Sequence, residues 1–579
     1  MYFVFHHHLE MTKRFFIVLF YVLAFTGCIR NTSSKQSQGS ALPSFYINLP
    51  TEQLDSILND RNKETPAHAV LITAENDTLY DDYLEHIKTR GNTSFNKAEA
   101  KKPFTIKLPK KRSWLGLYKS QHYVLLANAF DESHIRNTIA FDIAHDVGLP
   151  APQYAYLSLY INGEYKGLYQ ITNKIEVSRH SLNLTDLDKL NKRANPRPLK
   201  EYARFSESSD KQIILRKGAM LACDPEDITG GYLLDLCGAD WVYVKSPSGF
   251  ASDAGDYIRI RSPKYASPAE VNYIATFYNS MEAAITSDDG YNPETKKHYS
   301  EYIDTESFAL VYLINELLLN QDGGLSSSFL YKDSDSIDSK LYAGPIWDFD
   351  RSIGNTINSD LELIMPNELF VKVKHGKTTW SHSHGIFYNL WKHEDFQEMV
   401  KKLYYQKISP SCHKYIESGT IDSLVECLTE DADRDSRLYG TRRNMDYHSV
   451  TGKTLDFLQK RLAFLDWYFS APPEDIITIN FQSNQDGAHH RNLQIYYAVG
   501  EPITVVPSLK SHPKRYSREP DFELYIAGTD SIVPDNTVFN SAKTLELRYH
   551  EPTWKEAQKR RIRKKLEQWG ICKPAEWEW

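Results

Sequence analysis

Hydrophobic and polar positions change their period several times along this chain. Residues about 41 to 120 alternate short apolar runs, SFYINL, HAVLITA and FTIKL, with turns. Period-two alternation between turn signals predicts strands, here a twisted sheet forming one side of a cleft. Ser133 to Val147 then sets Ile135, Ile139, Phe141, Ile143 and Val147 at helical spacing, with Asp131 as a candidate N-cap and Gly148 as a stop, so a helix should follow the strand Leu125 to Asn128. Strand patterns at Ala155 to Ile161 and Tyr165 to Thr172 flank Asn162-Gly163, the strongest short hairpin signal. Asp186 to Lys211 is charged and poor in large apolar residues, the composition of an inserted loop, read as a solvated excursion with a substrate-gripping basic loop as the alternative. Helical spacing returns at Ser267 to Asp288 and Ser307 to Asn320, and again from about Ile386 to Phe469, before Pro472-Pro473 breaks the chain. Ile476 to His550 is alternating and β-branched, which predicts a small β-sandwich-like appendage. Lys555 to Gln568 has the pattern of a basic amphipathic helix packed on a neighbour.

A chain of 579 residues with 41% hydrophobic content can bury sizeable cores, and its length suits two to four domains with one large unit. The net charge of -7 gives no electrostatic case for a nucleic-acid partner, which calls for a basic surplus. The string MTKRFFIVLFYVLAFTGC from Met11 has a basic start, a short apolar core and a small-residue approach to Cys28, as an export signal does. F-T-G-C resembles a lipoprotein box in which Cys28 is lipidated; Phe25 departs from the usual Leu, and a plain secretory signal is the alternative. Residues 1-28 are therefore read as the signal and 29-40, with its polar run Arg30 to Ser40, as a flexible tether holding the protein at the cell envelope by a lipid anchor, its only predicted contact with a membrane. Six cysteines do not make a disulfide scaffold in a chain this long. Cys223 with Cys237, or Cys412 with Cys427, are the pairs an oxidising compartment would allow.

Candidate chemistry concentrates between Asn320 and Gly354, NQDGGLSSSFLYKDSDSIDSKLYAGPIWDFDRSIG. Asp322 follows an apolar helix pattern, and Asp348 and Asp350 stand about 26 residues later, past a strand-like run and a Gly-Pro. Two separately mounted acids suit phosphoryl transfer, in which one carboxylate orients the attacking hydroxyl and another holds Mg²⁺ against the nucleotide phosphates. D-F-D stands where a protein kinase has D-F-G. Lys107 alternates away from Phe104, Ile106 and Leu108, so it faces a cleft or solvent. Neither a G-x-x-x-x-G-K-[ST] nor a G-x-G-x-x-G motif occurs, which removes the ordinary P-loop and Rossmann readings. His382 and His384 have weak metal-ligand spacing, and the Trp347-Phe349 pair suits core packing better than adenine stacking. Asn128, Asp131, Arg136 and Asn137 suit an N-cap with a buried polar network.

Four blocks then agree in order, type and spacing: Arg90 to Leu108, Tyr123 to Glu176, GGYLLDL at Gly230 to Leu236, and GPIWDFDRSIGN at Gly344 to Asn355. Together they resemble the CotH-type family, the spore coat protein H-like atypical kinases, over roughly residues 40 to 470. That resemblance implies an α+β, divergent protein-kinase-like two-lobed fold with a C-terminal small β domain. The corresponding boundaries are 41-470 for the kinase-like domain, 475-550 for the β appendage and 551-579 for the helical tail.

The resemblance also implies ATP and Mg²⁺ as cofactors and the Ser or Thr hydroxyl of a protein as acceptor. By the same resemblance Asp322 is the catalytic carboxylate that orients the acceptor hydroxyl, Asp348 and Asp350 share the metal, and Lys107 is the phosphate lysine, with Lys102 its rival. The turn carrying Arg90, Asn92 and Ser94 would offer a guanidinium and backbone N-H groups to phosphate. Where many family members carry Glu, this chain has Asn173, and Glu176 is the substitute available to orient the lysine. Ser326 to Ser328 stand where a kinase supplies a metal-binding Asn. Those two departures favour a non-catalytic cell-surface lipoprotein that binds protein or glycan; intact Asp322 and Asp348 favour the enzyme.

Overall fold

The computed structural model describes residues 42–91, 93–96, 101–203, 216–238, 242, 246–320, 322–324, 326–355, 365–372, 385–442, 445–481, 493–505 and 521–550. The expected export signal with Cys28, the tether, Asn92, the His382/His384 pair and the C-terminal helix lie outside those residues. Helices and strands are mixed throughout, an α+β arrangement. The chain divides into two compact units that interleave in sequence: residues 1–145, 150–183 and 413–455 form one, and 146–149, 184–412 and 456–579 the other.

In the first unit the alternating segments close into a seven-stranded barrel. Its strands are β1 (Ser44–Asn48), β2 (Thr65–Ile72), β3 (Thr78–Thr89), β4 (Phe104–Arg112), β5 (Ser120–Leu126), β6 (Tyr154–Ile161) and β7 (Glu164–Asn173). The order is β1-β2-β3-β4-β5-β7-β6, sealed by parallel pairing of β1 with β6. The first strands thus form a closed barrel rather than an open sheet, which leaves no bare edge. Inward positions fill its core, where Trp114 stacks on Tyr123 with ring centroids 5.1 Å apart. Asn162 and Gly163 turn β6 into β7 with φ of 51° and 80°, the two positive values that a hairpin with this twist requires.

A helix at Arg136–Val147 follows β5, ended by Gly148 at φ 88°. Asp131, fully buried, accepts the backbone N-H groups of Ser133 and Arg136 at 3.0 Å and pairs with the Arg136 guanidinium. The helix Thr420–Tyr439 brings Asp435 onto β7, where its carboxylate accepts the Leu168 N-H at 2.9 Å. Gly167, at φ 108°, leaves the room for this; a Cβ there would collide with Asp435. Lys101 is 4% exposed, with Nζ 2.7 Å from Asp435 and 2.8 Å from the Leu168 carbonyl. Burying the ammonium is tolerable only because that carboxylate and carbonyl replace its water.

The second unit holds two sheets. One has six antiparallel strands, β8 (Arg216–Lys217), β9 (Tyr232–Leu236), β10 (Gly249–Ala251), β11 (Tyr257–Ser262), β12 (Ser328–Lys332) and β13 (Leu341–Ala343), in the order β13-β12-β9-β11-β10-β8. The helices Pro268–Thr286, started by a Ser267/Glu270 capping box, and Thr305–Leu317, capped by Asp304, belong to the same unit. The expected solvated excursion begins as a helix, Leu187–Ala194, because Asp186 caps it and buried Asn191 donates to the Glu270 carboxylate. The other sheet comprises β14 (Glu368–Leu369), β15 (Ile476–Phe481), β16 (Leu493–Ala498), β17 (Asp521–Ile526) and β18 (Lys543–His550), with β15 and β18 parallel. It has its own core of Ile477, Ile479, Ile495, Leu545 and Leu547. Where alternation alone suggested stacked sheets, the described residues make one mixed sheet, with a fifth strand from residues 368–369. Cys223, Cys237, Cys412 and Cys427 are all free, and among the described residues no helix is long and apolar enough to cross a membrane.

His134 lies beside the Lys101–Asp435 pair, Nε2 3.7 Å from Asp435, and is held neutral: burial, then Lys101, pushes its pKa from 6.5 down to about 4, against the pull of Asp435 and Asp131. A depressed folded-state pKa gives stability that is complete above pH 6.5 and lost as pH falls toward 4. Between pH 7 and 5 this site should lose about 2 kcal/mol. Hydrogen exchange at the Leu168 amide, corrected for intrinsic rate, should accelerate accordingly. His134→Asn, which keeps a side chain tolerant of the local φ of 59°, should flatten that dependence.

Candidate functional site

The helix Thr305–Leu317 is apolar on all sides, and every residue from Ser307 to Leu317 is buried, as befits a core helix. Its last turn is closed by Arg461, itself fully buried, whose Nε and Nη2 donate to the Glu316 carbonyl at 2.9 and 2.7 Å. The chain then leaves helical geometry at Leu319, φ 48°. Asn320 anchors the exit: its N-H donates to the Asn315 carbonyl and its amide to the Asn315 side chain, each at 2.9 Å. Asp322 stands on the following turn with its side chain 22% exposed and its N-H on the Asn320 side chain.

From that turn β12 and β13 run out and back as an antiparallel hairpin. The hairpin's return brings the D-F-D turn beside the helix end, where the Ile353 N-H donates to the Leu318 carbonyl at 2.6 Å. Ser327 donates its hydroxyl to Asp348 Oδ2 at 2.7 Å, and Arg351 Nη1 lies 3.7 Å from Asp322 Oδ1. Asp348 has φ 69°, a value uncommon outside glycine, asparagine, aspartate and histidine and one found at functional turns. The Asp350 carbonyl accepts the Asn355 amide at 2.6 Å. Thus Asp322 and Asp348, 26 positions apart in sequence, are mounted on loops tied to one helix end. Phe349 is 2% exposed and acts as core, as its pattern suggested. A small cavity lined by Asn315, Asn320, Ser327, Phe329, Trp347 and Phe387 among others lies against the same loops.

The remaining expected residues lie in the barrel unit and do not form one cluster there. Lys107 points out of the barrel and pairs with Glu85 on the neighbouring strand. Glu176 accepts from the His122 ring at 2.9 Å and from the Ser120 hydroxyl at 3.5 Å, so its described hydrogen-bond partners include neither candidate lysine. Burial works to raise the Glu176 pKa, and the His122 hydrogen bond and charge, with Lys174 and Lys111, more than offset it. Asn173 is buried and donates to the Tyr118 carbonyl at 3.1 Å. Lys102 instead reaches the turn that carries Ser94: its Nζ bonds to the Phe95 carbonyl and lies 4.8 Å from that ring's centre. Arg90 joins it through its N-H on the Pro103 carbonyl at 3.0 Å. Sequence reasoning missed Lys101 with Asp435 and the specific tie from Ser327 to Asp348. The Ser326 to Ser328 run was the available signal for the second.

The sequence model of the CotH kinase protein family matches residues 87–465, more than half of the 579-residue chain. The chain belongs to this family. No curated protein sequence matches it significantly. The CotH kinase match spans all four sequence blocks, including both acid-bearing loops.

Oxygen donors of this kind fit Mg²⁺. That ion takes one or two carboxylates and leaves its other positions to water and phosphate, and among the described residues no group of three or more His, Cys, Asp or Glu side chains forms a closed cage. Ser327→Ala should therefore loosen Asp348 and raise the Mg²⁺ concentration needed for half-maximal nucleotide binding several-fold, with about 1 kcal/mol lost from stability. Titration calorimetry at varied Mg²⁺ checks this; an unchanged requirement would separate Ser327 from metal binding. Of the two lysines, Lys102→Ala should weaken nucleotide binding more than Lys107→Ala, because Lys102 sits at the Ser94 turn whereas Lys107 is engaged by Glu85.

Proposed function

We propose that this CotH kinase family member is an exported, lipid-anchored protein kinase that transfers the ATP γ-phosphate to Ser or Thr of a protein partner. One observation carries the reading: Asp322 and Asp348 stand on two loops fixed to the same helix end, with Ser327 bonded to Asp348. Helix, acid-bearing turn, hairpin and second acid-bearing turn follow one another as the two acids of a protein kinase do, which supports a divergent kinase-like fold.

In this reading Asp322 orients the acceptor hydroxyl and takes its proton, while Asp348 and Asp350 present oxygens to the metal. Bound Mg²⁺ would supply neutralisation of the charge on the transferring phosphate. Ser327 holds the Asp348 carboxylate through its hydroxyl, and Lys102 and the Ser94 turn are the phosphate-binding candidates of the barrel unit. The F-T-G-C box at Cys28 supports export and anchoring at the cell envelope. A second reading, a cell-surface lipoprotein binding protein or glycan without catalysis, draws on buried Asn173, which replaces an acid with an amide.

Two measurements separate these readings. Mg²⁺-ATP at 100 times its Kd should stabilise the protein by about 2.7 kcal/mol, seen as a rise in Tm. Absence of any shift at millimolar nucleotide favours the binding lipoprotein. Asp322→Asn should keep ATP affinity within a few-fold yet lower single-turnover phosphate transfer by about 10²-fold or more. Equal transfer by variant and wild type would remove Asp322 from the chemistry.

A further inference from the structure

Between Phe308 and Leu319 the core helix and its exit carry only Asn315 and Glu316 as polar residues, apart from the Tyr312 phenol. Glu316 is accounted for by Arg461. Asn315 is 4% exposed, and an amide is a poor choice for such a place. It forms helix less readily than Leu, and it must find partners for a donor and an acceptor away from water. Packing alone gives no reason for it.

Its hydrogen bonds do. Asn315 Nδ2 donates back to the Val311 carbonyl at 2.8 Å, which fixes the amide against the helix. Its Oδ1 is left for the exit of the chain, where it accepts Asn320 Nδ2 at 2.9 Å. Asn320, 3% exposed, is oriented in turn so that its own Oδ1 accepts the Asp322 N-H at 3.2 Å. An amide can donate from one end and accept at the other. Two of them in series therefore run in one direction, from the helix backbone to the backbone of Asp322. A carboxylate at either place would set two acceptors face to face.

Gly323 belongs to the same arrangement. Its N-H donates to the Asn320 carbonyl at 3.0 Å, and a Cβ on it would lie 2.8 Å from Asn315 Oδ1 and 3.0 Å from that carbonyl. The residue after Asp322 has to lack a side chain for the turn to close on the amide pair.

We infer that Asn315 and Asn320 are positioning residues for the proposed phosphoryl transfer. In series they hold the Asp322 backbone, and with it the carboxylate, in the pose that meets an acceptor hydroxyl. Both act through Asp322 rather than on substrate. Their purpose rests on the phosphoryl-transfer reading of Asp322, whereas the hydrogen-bond chain can be measured without it.

Hydrogen exchange at the Asp322 amide of the full chain, corrected for intrinsic rate, reads that chain directly. Asn320→Ala and Asn315→Leu should each accelerate exchange about fivefold to tenfold, the worth of one hydrogen bond. Gly323→Ala should do so with both amides in place, which keeps the test open should a variant at Asn315 or Asn320 fail to fold. Asn320→Ser, whose hydroxyl accepts the same N-H more weakly, should recover part of the protection. Single-turnover transfer by Asn320→Ala should fall by a similar factor with the ATP Kd within about twofold. In the Asp322→Asn background the same substitution should change transfer little, because residues that act as a unit are not additive; a merely structural role would slow both backgrounds alike. Unchanged exchange in the folded variants, or equal slowing with and without Asp322, overturns the assignment. Exchange that responds while wild type transfers no phosphate would instead refute the phosphoryl-transfer reading and reduce the two amides to structural residues.

Discussion

A single buried ion pair sets the geometry of the acid-bearing loops. Arg461 and Glu316 are both fully buried, and Arg461 distributes its donors over the Glu316 carbonyl, the Glu316 carboxylate at 3.2 Å, and the carbonyls of Pro366 and Glu368. The Glu316 carboxylate also accepts the N-H groups of Phe370, Val371 and Lys372 at 2.7 to 3.2 Å. A pair of this kind adds little net stability over a well-packed apolar substitute, yet loss of one partner leaves a buried charge and costs about 3–5 kcal/mol. Its effect is placement. Guanidinium and carboxylate together fix where the helix Thr305–Leu317 ends, and Asp322 follows six residues after Glu316.

Everything chemical in this unit is then a short step from that helix end. Asn315 and Asn320 secure the exit of the chain, the β12–β13 hairpin carries it out and back, and the Leu318 carbonyl receives Ile353 from the second acid loop. Short loops hung from a buried core element position side chains more narrowly than long surface loops do. The same anchor reaches the C-terminal sheet, because Glu368 and Leu369 form β14, the strand paired with β16. In the barrel unit the corresponding anchor is Lys101 with Asp435, which fastens the helix Thr420–Tyr439 to β7.

Much of this was legible in the sequence where one physical rule acts locally. Asn162-Gly163 announced its hairpin because few other residues tolerate two positive φ values in succession, and the apolar run Phe308 to Leu319 announced a core helix that delivers Asp322. Closure of the barrel was not legible, since the pairing of β1 with β6 spans more than a hundred residues and leaves no local mark. Lys101 is the sharpest miss. Adjacent lysines ordinarily signal a solvated end, and only Asp435, more than three hundred residues away, makes one of them a buried residue. The amphipathic helix begun by Asp186 was likewise hidden, because its buried face consists of few residues and depends on Glu270. The loop acids were recognisable as a pair, whereas the hydroxyl that holds Asp348 required the fold.

The central claim is that Asp322 and Asp348 serve one reaction centre. A double-mutant cycle in single-turnover phosphate transfer tests it most directly, comparing Asp322→Asn, Asp348→Asn and the combined variant at saturating Mg²⁺-ATP. Residues acting as a unit are strongly non-additive, so the combined variant should transfer phosphate about as slowly as the worse single variant. Effects of the two substitutions that simply multiply would show two independent acids and contradict the account.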